Sequence, residues 1–168
     1  SIDGTGTIGE YVRTGLNYKE WLENFKQGVS RATHRRQMRL DFTLTLPGMF
    51  EVVPIIKLAR ELGVDILAKV VFSFSPDIAL SPLALPKSIL NKWVEELLPD
   101  THGAMRDVLV QLQSRPTFEQ QWPNEYKQGL AKGKARVLKL ESIRTQSTTM
   151  DEILSKRPDV YEWWNQIS

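Results

Sequence analysis

The sequence predicts an α/β fold, a few parallel strands joined by helices, followed by a helical half. Three observations carry this. Residues 38–45 alternate apolar and polar, residues 65–74 are nearly continuous in apolar residues, and helical periodicity precedes and follows each run. Helix and strand alternating in this order argue for βαβ units with right-handed crossovers. Beyond residue 74 no strand pattern returns.

The opening Ser1-Ile2-Asp3-Gly4-Thr5-Gly6 reads as the C-terminal end of a buried strand running into glycines. Most of that strand is missing, so the chain reads as a piece of a larger fold. Residues 17–29 place Trp21, Leu22, Phe25 and Val29 at helical steps, with Asn17 as N-cap and Glu20 as its capping-box partner. In residues 38–45, Met38, Leu40, Phe42 and Leu44 face one way, and Arg39, Asp41, Thr43 and Thr45 the other. Leu46-Pro47-Gly48 ends that strand. Residues 50–62 predict a helix with Pro54 in its first turn and Gly63 just past its end. Residues 65–74 predict a strand covered on both faces.

Residues 75–86 hold three prolines and predict an extended loop. Helices are expected over 87–98, 103–113, 117–128, 130–143, 150–156 and 158–167. The tryptophans at 21, 93, 122, 163 and 164 fall at helical positions and are expected to pack. The division is therefore 1–98, α/β, and 99–168, a helical extension packed on it.

Composition narrows function mainly by exclusion. Lys and Arg number 22 against 20 Asp and Glu, too even a balance to point to nucleic acid. No cysteine is present, which excludes disulfides, a thiolate nucleophile and an iron–sulfur cluster ligated within the chain. The lack of cysteine fits a cytoplasmic setting, and no apolar run approaches the roughly 18–20 residues that span a bilayer, so no membrane partner is expected. His34 and His102 lack metal-ligand spacing. The basic run Arg31, Arg35, Arg36 and Arg39 reads as a solvated link.

Gly4, Gly6 and Gly9 satisfy G-x-G-x-x-G, which cradles a phosphate when a helix starts directly behind it. Residues 10–15 open a helix poorly, so the glycines are expected to serve a sharp turn, and a dinucleotide site is the minor alternative. Loops after parallel strands are where ligands bind. Thr45, near the C-terminal end of its strand, is a candidate donor, as is Ser73, which shares a face with Lys69. Lys69 is expected to pair with Asp41 or Asp65, and Ser75 and Asp77 to cap their loop.

Ser1-Ile2-Asp3-Gly4, Glu10-Tyr11-Val12-Arg13 and Trp21-Leu22-Glu23-Asn24, followed by Leu44-Thr45-Leu46-Pro47 and then 53–62, resemble the middle of a radical S-adenosylmethionine (SAM) enzyme. Residues 140–144, Asp151-Glu152-Ile153-Leu154 and 158–164 resemble the closing pattern of its twitch and SPASM group. The order of these short motifs carries the resemblance. It implies strands four to six of a partial (β/α) barrel, with the helical extension behind them. It also implies a 4Fe–4S cluster held by a C-x-x-x-C-x-x-C motif outside this segment. That cluster would generate a 5′-deoxyadenosyl radical from SAM for hydrogen abstraction from an unknown substrate, a peptide in many members of the group.

By the same resemblance, Ser1 matches a serine near SAM, and Arg13 matches an arginine suited to a bidentate grip on its carboxylate. Asp3 shares the face of Ser1, or caps the turn. Ser1, Asp3, Arg13, Thr45 and Ser73 are thus the candidate SAM-binding residues. Arg13 reads equally well as an exposed loop charge. Alone, the segment is expected to be inactive. A cluster-free half-barrel acting as a binding module is the alternative.

Overall fold

The computed structural model describes residues 1–168, the side chain of Arg35 excepted; that member of the basic run lies outside the described residues. The architecture is mixed α/β and mainly helical. A helix α1 (Gly6–Val12) and a longer α2 (Tyr18–Arg31) precede strand β1 (Arg39–Leu44). Helix α3 (Val52–Leu62) crosses to strand β2 (Asp65–Val70), which lies parallel to β1 with Arg39 opposite Asp65 and Leu44 opposite Val70. Ile2 adds a parallel bridge on the other side of β1. Its N–H donates to Asp41 O at 2.8 Å, and its carbonyl accepts from Thr43 N at 3.0 Å. The spatial order is therefore Ile2, β1, β2, all running the same way.

The remainder is helical: α4 (Lys87–Leu97), α5 (Gly103–Ser114), α6 (Phe118–Gln121), α7 (Tyr126–Ile143), α8 (Met150–Leu154) and α9 (Pro158–Gln166). None of the described helices is long and apolar enough to cross a membrane.

One face of the sheet carries the core. Leu40, Phe42 and Leu44 of β1 are buried together with Ile2, Ile55 of α3, and Leu109 and Leu112 of α5. The period-two alternation of a strand turns Ser1, Asp3, Asp41, Thr43, Leu67 and Lys69 to the opposite face. That face is open: Leu67 is 43% exposed, and Lys69 reaches out to Asp41 Oδ2 at 3.5 Å. The expected pairing of Lys69 with an aspartate holds, while the expected burial of 65–74 on both sides does not. Continuous apolar character marked the strand but not its second layer.

β2 is also shorter than the apolar run that predicts it. Leu46-Pro47-Gly48 turns the chain into a 3₁₀ segment over 47–51, so β1 stops at Leu44. Val71 N still donates to Leu44 O at 3.0 Å, and beyond it no strand among the described residues pairs with the chain. Phe72 and Phe74 then project outward, 79% and 66% exposed, with ring centroids 5.6 Å apart.

Other boundaries shift for local reasons. The expected helices over 117–128 and 130–143 are instead a single turn, α6, and an eighteen-residue α7. Pro123 ends the first, because a residue before proline is pushed out of the helical region; Trp122 sits at φ −129°, ψ 64°. Gly129, between the two expected helices, lies inside α7. A Cβ there would stand 2.8 Å from Pro76 Cβ, and one at Gly133 would stand 2.6 Å from Asp77 O. The two glycines let α7 lie directly on the 76–79 loop. Gly63 ends α3 at φ +66°, as expected. Asn17 Oδ1 accepts from Glu20 N at 3.1 Å and caps α2.

Gly133→Ala tests the close approach of α7. Alanine is the better helix former by about 1 kcal/mol, yet overpacking against backbone costs about 1–3 kcal/mol. Net destabilisation in urea unfolding is the expected result.

Candidate ligand site at the end of the sheet

The site grows from the first thirteen residues. Ile2 is drawn into the core beside Phe42, so its neighbours Ser1 and Asp3 fall on the open face near the C-terminal ends of the strands. The chain then turns through Gly4 and enters α1 at Gly6. A helix directly behind the glycines departs from the expectation of a turn alone. Gly9 makes it possible: a Cβ at Gly9 would lie 2.2 Å from Gly4 O, so α1 rests on the Gly4 peptide.

A seven-residue helix has little stability of its own, and its end groups need partners. At the N-terminus the partner is Glu51 from the 3₁₀ segment. Its Oε1 accepts from Thr5 N and, at 2.6 Å, from Thr5 Oγ1. Glu51 is buried, and burial holds its carboxyl above the ordinary range, with the Thr5 hydrogen bonds and Lys156 pulling the other way. The place where a cradled phosphate would sit is thus held by the protein's own carboxylate.

At the C-terminus, the partners come from beyond α7. Arg144 Nη1 donates to Tyr11 O at 2.8 Å, and Gln146 Nε2 to Glu10 O at 3.1 Å. The Arg144 guanidinium also stands 5.3 Å from the Tyr11 ring centroid. Tyr11 Oη donates to Glu141 Oε2 at 3.3 Å, and burial, then the neighbouring Glu141, pushes that phenol well above its usual range.

Arg13 follows immediately on α1 and folds back over Asp3. Asp3 Oδ2 accepts from Arg13 Nε at 2.9 Å and lies 2.8 Å from Nη2, while Nη2 also donates to Ser1 Oγ at 3.2 Å. The Asp3 side chain is 9% exposed and that of Arg13 is 44% exposed. One edge of the guanidinium is therefore held by Asp3 and Ser1. No protein acceptor among the described residues meets Nη1. The arrangement is an oriented cation whose Nη1 is left to donate to an oxygen of an anion such as a carboxylate.

The structure brings Ser1, Asp3 and Arg13 together and places Thr45 and Ser73 elsewhere. Thr45 is buried, and its Oγ1 accepts from Gly48 N at 3.0 Å, closing the turn that ends β1. Ser73 Oγ donates to Val71 O at 2.9 Å and lies 2.8 Å from the buried Ser81 Oγ. Both hydroxyls serve turns because the strands end before reaching them. Asp77 acts as a loop cap, as expected: Ser75 Oγ donates to its Oδ1, Arg136 pairs with its Oδ2 at 3.2 Å, and these contacts lower its carboxyl.

Glu51 and the Tyr11–Glu141–Arg144 group were not anticipated. A charged residue inside the apolar run Met49-Phe50-Glu51-Val52-Val53 was the available signal for the first. Nothing local signals the second. A cavity of about 490 Å³ lies at the opposite end of the sheet, between Gly63–Ile66 and His102–Met105. Ligands of open parallel sheets bind beyond the carboxyl ends of the strands, so the Arg13 cluster is the stronger site.

No family model, curated protein or solved structure matches the chain.

Because Glu51 titrates above its unfolded value, the stability it contributes is complete below the ordinary carboxylate range of about 4.3. That contribution is lost as pH rises through the folded-state value. Glu51→Gln keeps an acceptor for Thr5 without the buried charge. The variant should match the wild type in thermal unfolding near pH 4 and exceed it at pH 7–8. A lower melting temperature at pH 7 would instead show that the charge itself supports α1.

Proposed function

We propose that this chain contributes one wall of a SAM site in a radical SAM enzyme. Ile2, β1 and β2 would be the fourth to sixth strands of a partial barrel, and the helical extension would pack behind them. The observation that carries the reading is the Ser1–Asp3–Arg13 cluster. The serine and arginine singled out by the resemblance meet at the carboxyl end of a parallel sheet, where ligands of such folds bind. The open polar face beneath them, with Thr43, Asp41 and Lys69, would be the inner surface of the barrel.

The residues present fit SAM in one respect. SAM carries an α-carboxylate, and Arg13 presents an oriented cationic edge for it, with Ser1 beside that edge. Asp3 holds the guanidinium and offsets part of its charge. The residues do not fit a 4Fe–4S cluster. The chain has no cysteine, and among the described residues no group of three His, Cys, Asp or Glu side chains is gathered to hold a metal. In this reading the cluster ligands belong to another segment. SAM, together with that cluster, would supply the hydrogen-abstracting chemistry toward an unidentified substrate. This chain's residues would bind and orient SAM's amino-acid end.

The dinucleotide alternative loses its main support at Glu51. A pyrophosphate at the α1 N-terminus would meet that carboxylate at close range.

Arg13→Lys is the direct test. Lysine keeps the charge but lacks the planar fork, so it cannot hold Asp3 and a ligand carboxylate together. SAM affinity by equilibrium dialysis should fall about tenfold or more, the scale of one hydrogen bond between charged groups. Unchanged affinity would remove Arg13 from the site.

A further inference from the structure

We infer that residues 141–146 form a strap that positions Arg13, so that the helical half of the chain controls the ligand end of the sheet. The inference rests on the reading of Arg13 as a ligand-binding group. It adds residues that touch neither the ligand nor the Arg13 side chain.

α1 is too short to satisfy its own ends. A helix of seven residues leaves its last carbonyls without internal partners, and those of Glu10 and Tyr11 lie one turn before Arg13. Both are capped by side chains more than 130 positions away: Arg144 on Tyr11 O and Gln146 on Glu10 O. A cation at a helix C-terminus is also favourably placed against the helix dipole. The Arg144 guanidinium lies over the Tyr11 ring, so the ring and the carbonyl of one residue are both held by it.

Glu141 anchors the strap at its own base. Its Oε2 accepts from Tyr11 Oη and also from Met150 N, tying the end of α7, the start of α8 and the buried face of α1 together. Arg13 itself has extended backbone dihedrals, φ −112° and ψ 97°, and its N–H bonds back to Gly9 O. Where the guanidinium falls relative to Asp3 is therefore set by where α1 ends. Arg144, Gln146 and Glu141 are positioning residues in this account.

Arg144→Ala in the full chain tests it, read by amide hydrogen exchange, by the exchange of the Arg13 Nε–H signal in NMR, and by SAM affinity. The expected result has four parts. Protection of the 6–12 amides falls about tenfold, the scale of a lost charged hydrogen bond. Protection in β1 and α3 stays within about twofold. The Arg13 Nε–H exchanges faster, and SAM binding weakens about fivefold or more. Arg144→Lys, which can still reach a carbonyl and an aromatic face, should restore part of each effect.

If Arg144→Ala proves too unstable to study, Gln146→Ala should show the same pattern at a smaller scale. Uniform loss of protection across the chain would overturn the inference, since it would make Arg144 a general packing residue. So would unchanged exchange at 6–12 and at Arg13, or unchanged SAM affinity beside a loosened α1. If the wild-type chain does not bind SAM at all, the SAM reading fails, and the exchange measurements still decide whether the strap holds Arg13.

Discussion

The candidate site depends on a helix too short to stand alone. α1 has seven residues, and its own hydrogen bonds cannot offset the entropy of ordering it. Its conformation comes from its two ends, each held by a side chain from a distant part of the sequence. Glu51 accepts at the first turn, and Arg144 with Gln146 donate at the last. Arg144 near the C-terminus also matches the helix dipole there, while Glu51 serves the N-terminus as a hydrogen-bond acceptor. Arg13 leaves α1 directly toward Asp3 and Ser1, so the geometry of the cluster inherits the precision of those two caps.

A second constraint shapes the surface around the cluster. The turn at Leu46-Pro47-Gly48 is locked by Thr45 Oγ1 and by the absence of a side chain at Gly48, where a Cβ would lie 3.0 Å from that hydroxyl. This turn ends β1, and the end of β1 ends β2. The open face carries Asp41, Thr43, Leu67 and Lys69, and past the end of β2 the rings of Phe72 and Phe74 are exposed to solvent. Exposed phenylalanines on a backbone pinned through Ser73 to Ser81 are displayed by the fold rather than left loose.

The strands and most helices were legible because their signals are local. Alternation over 38–45, the cap at Asn17 and the stop at Gly63 each need only a few neighbouring residues. The meeting of Ser1 with Arg13 was legible only as a resemblance, since nothing in periodicity says that residue 13 turns back on residue 1. Helix α1 was missed because glycine-rich sequence opens a helix poorly by propensity. Its stabilising groups, Glu51, Arg144 and Gln146, lie far away along the chain. The division of 117–143 at residue 129 has a related cause: glycine weakens a helix by propensity, while the contact of Gly129 with Pro76 is not visible in the sequence. Tertiary capping and close packing are the interactions a single sequence hides best.

The central claim is that Arg13 is an oriented receptor for the carboxylate of SAM. Comparing the affinity of the wild-type chain for SAM with that for decarboxylated SAM tests it most directly, because the two ligands share everything but that group. The account predicts that SAM binds at least about tenfold tighter and that the gap closes in Arg13→Gln. Equal affinities for the two ligands would contradict it.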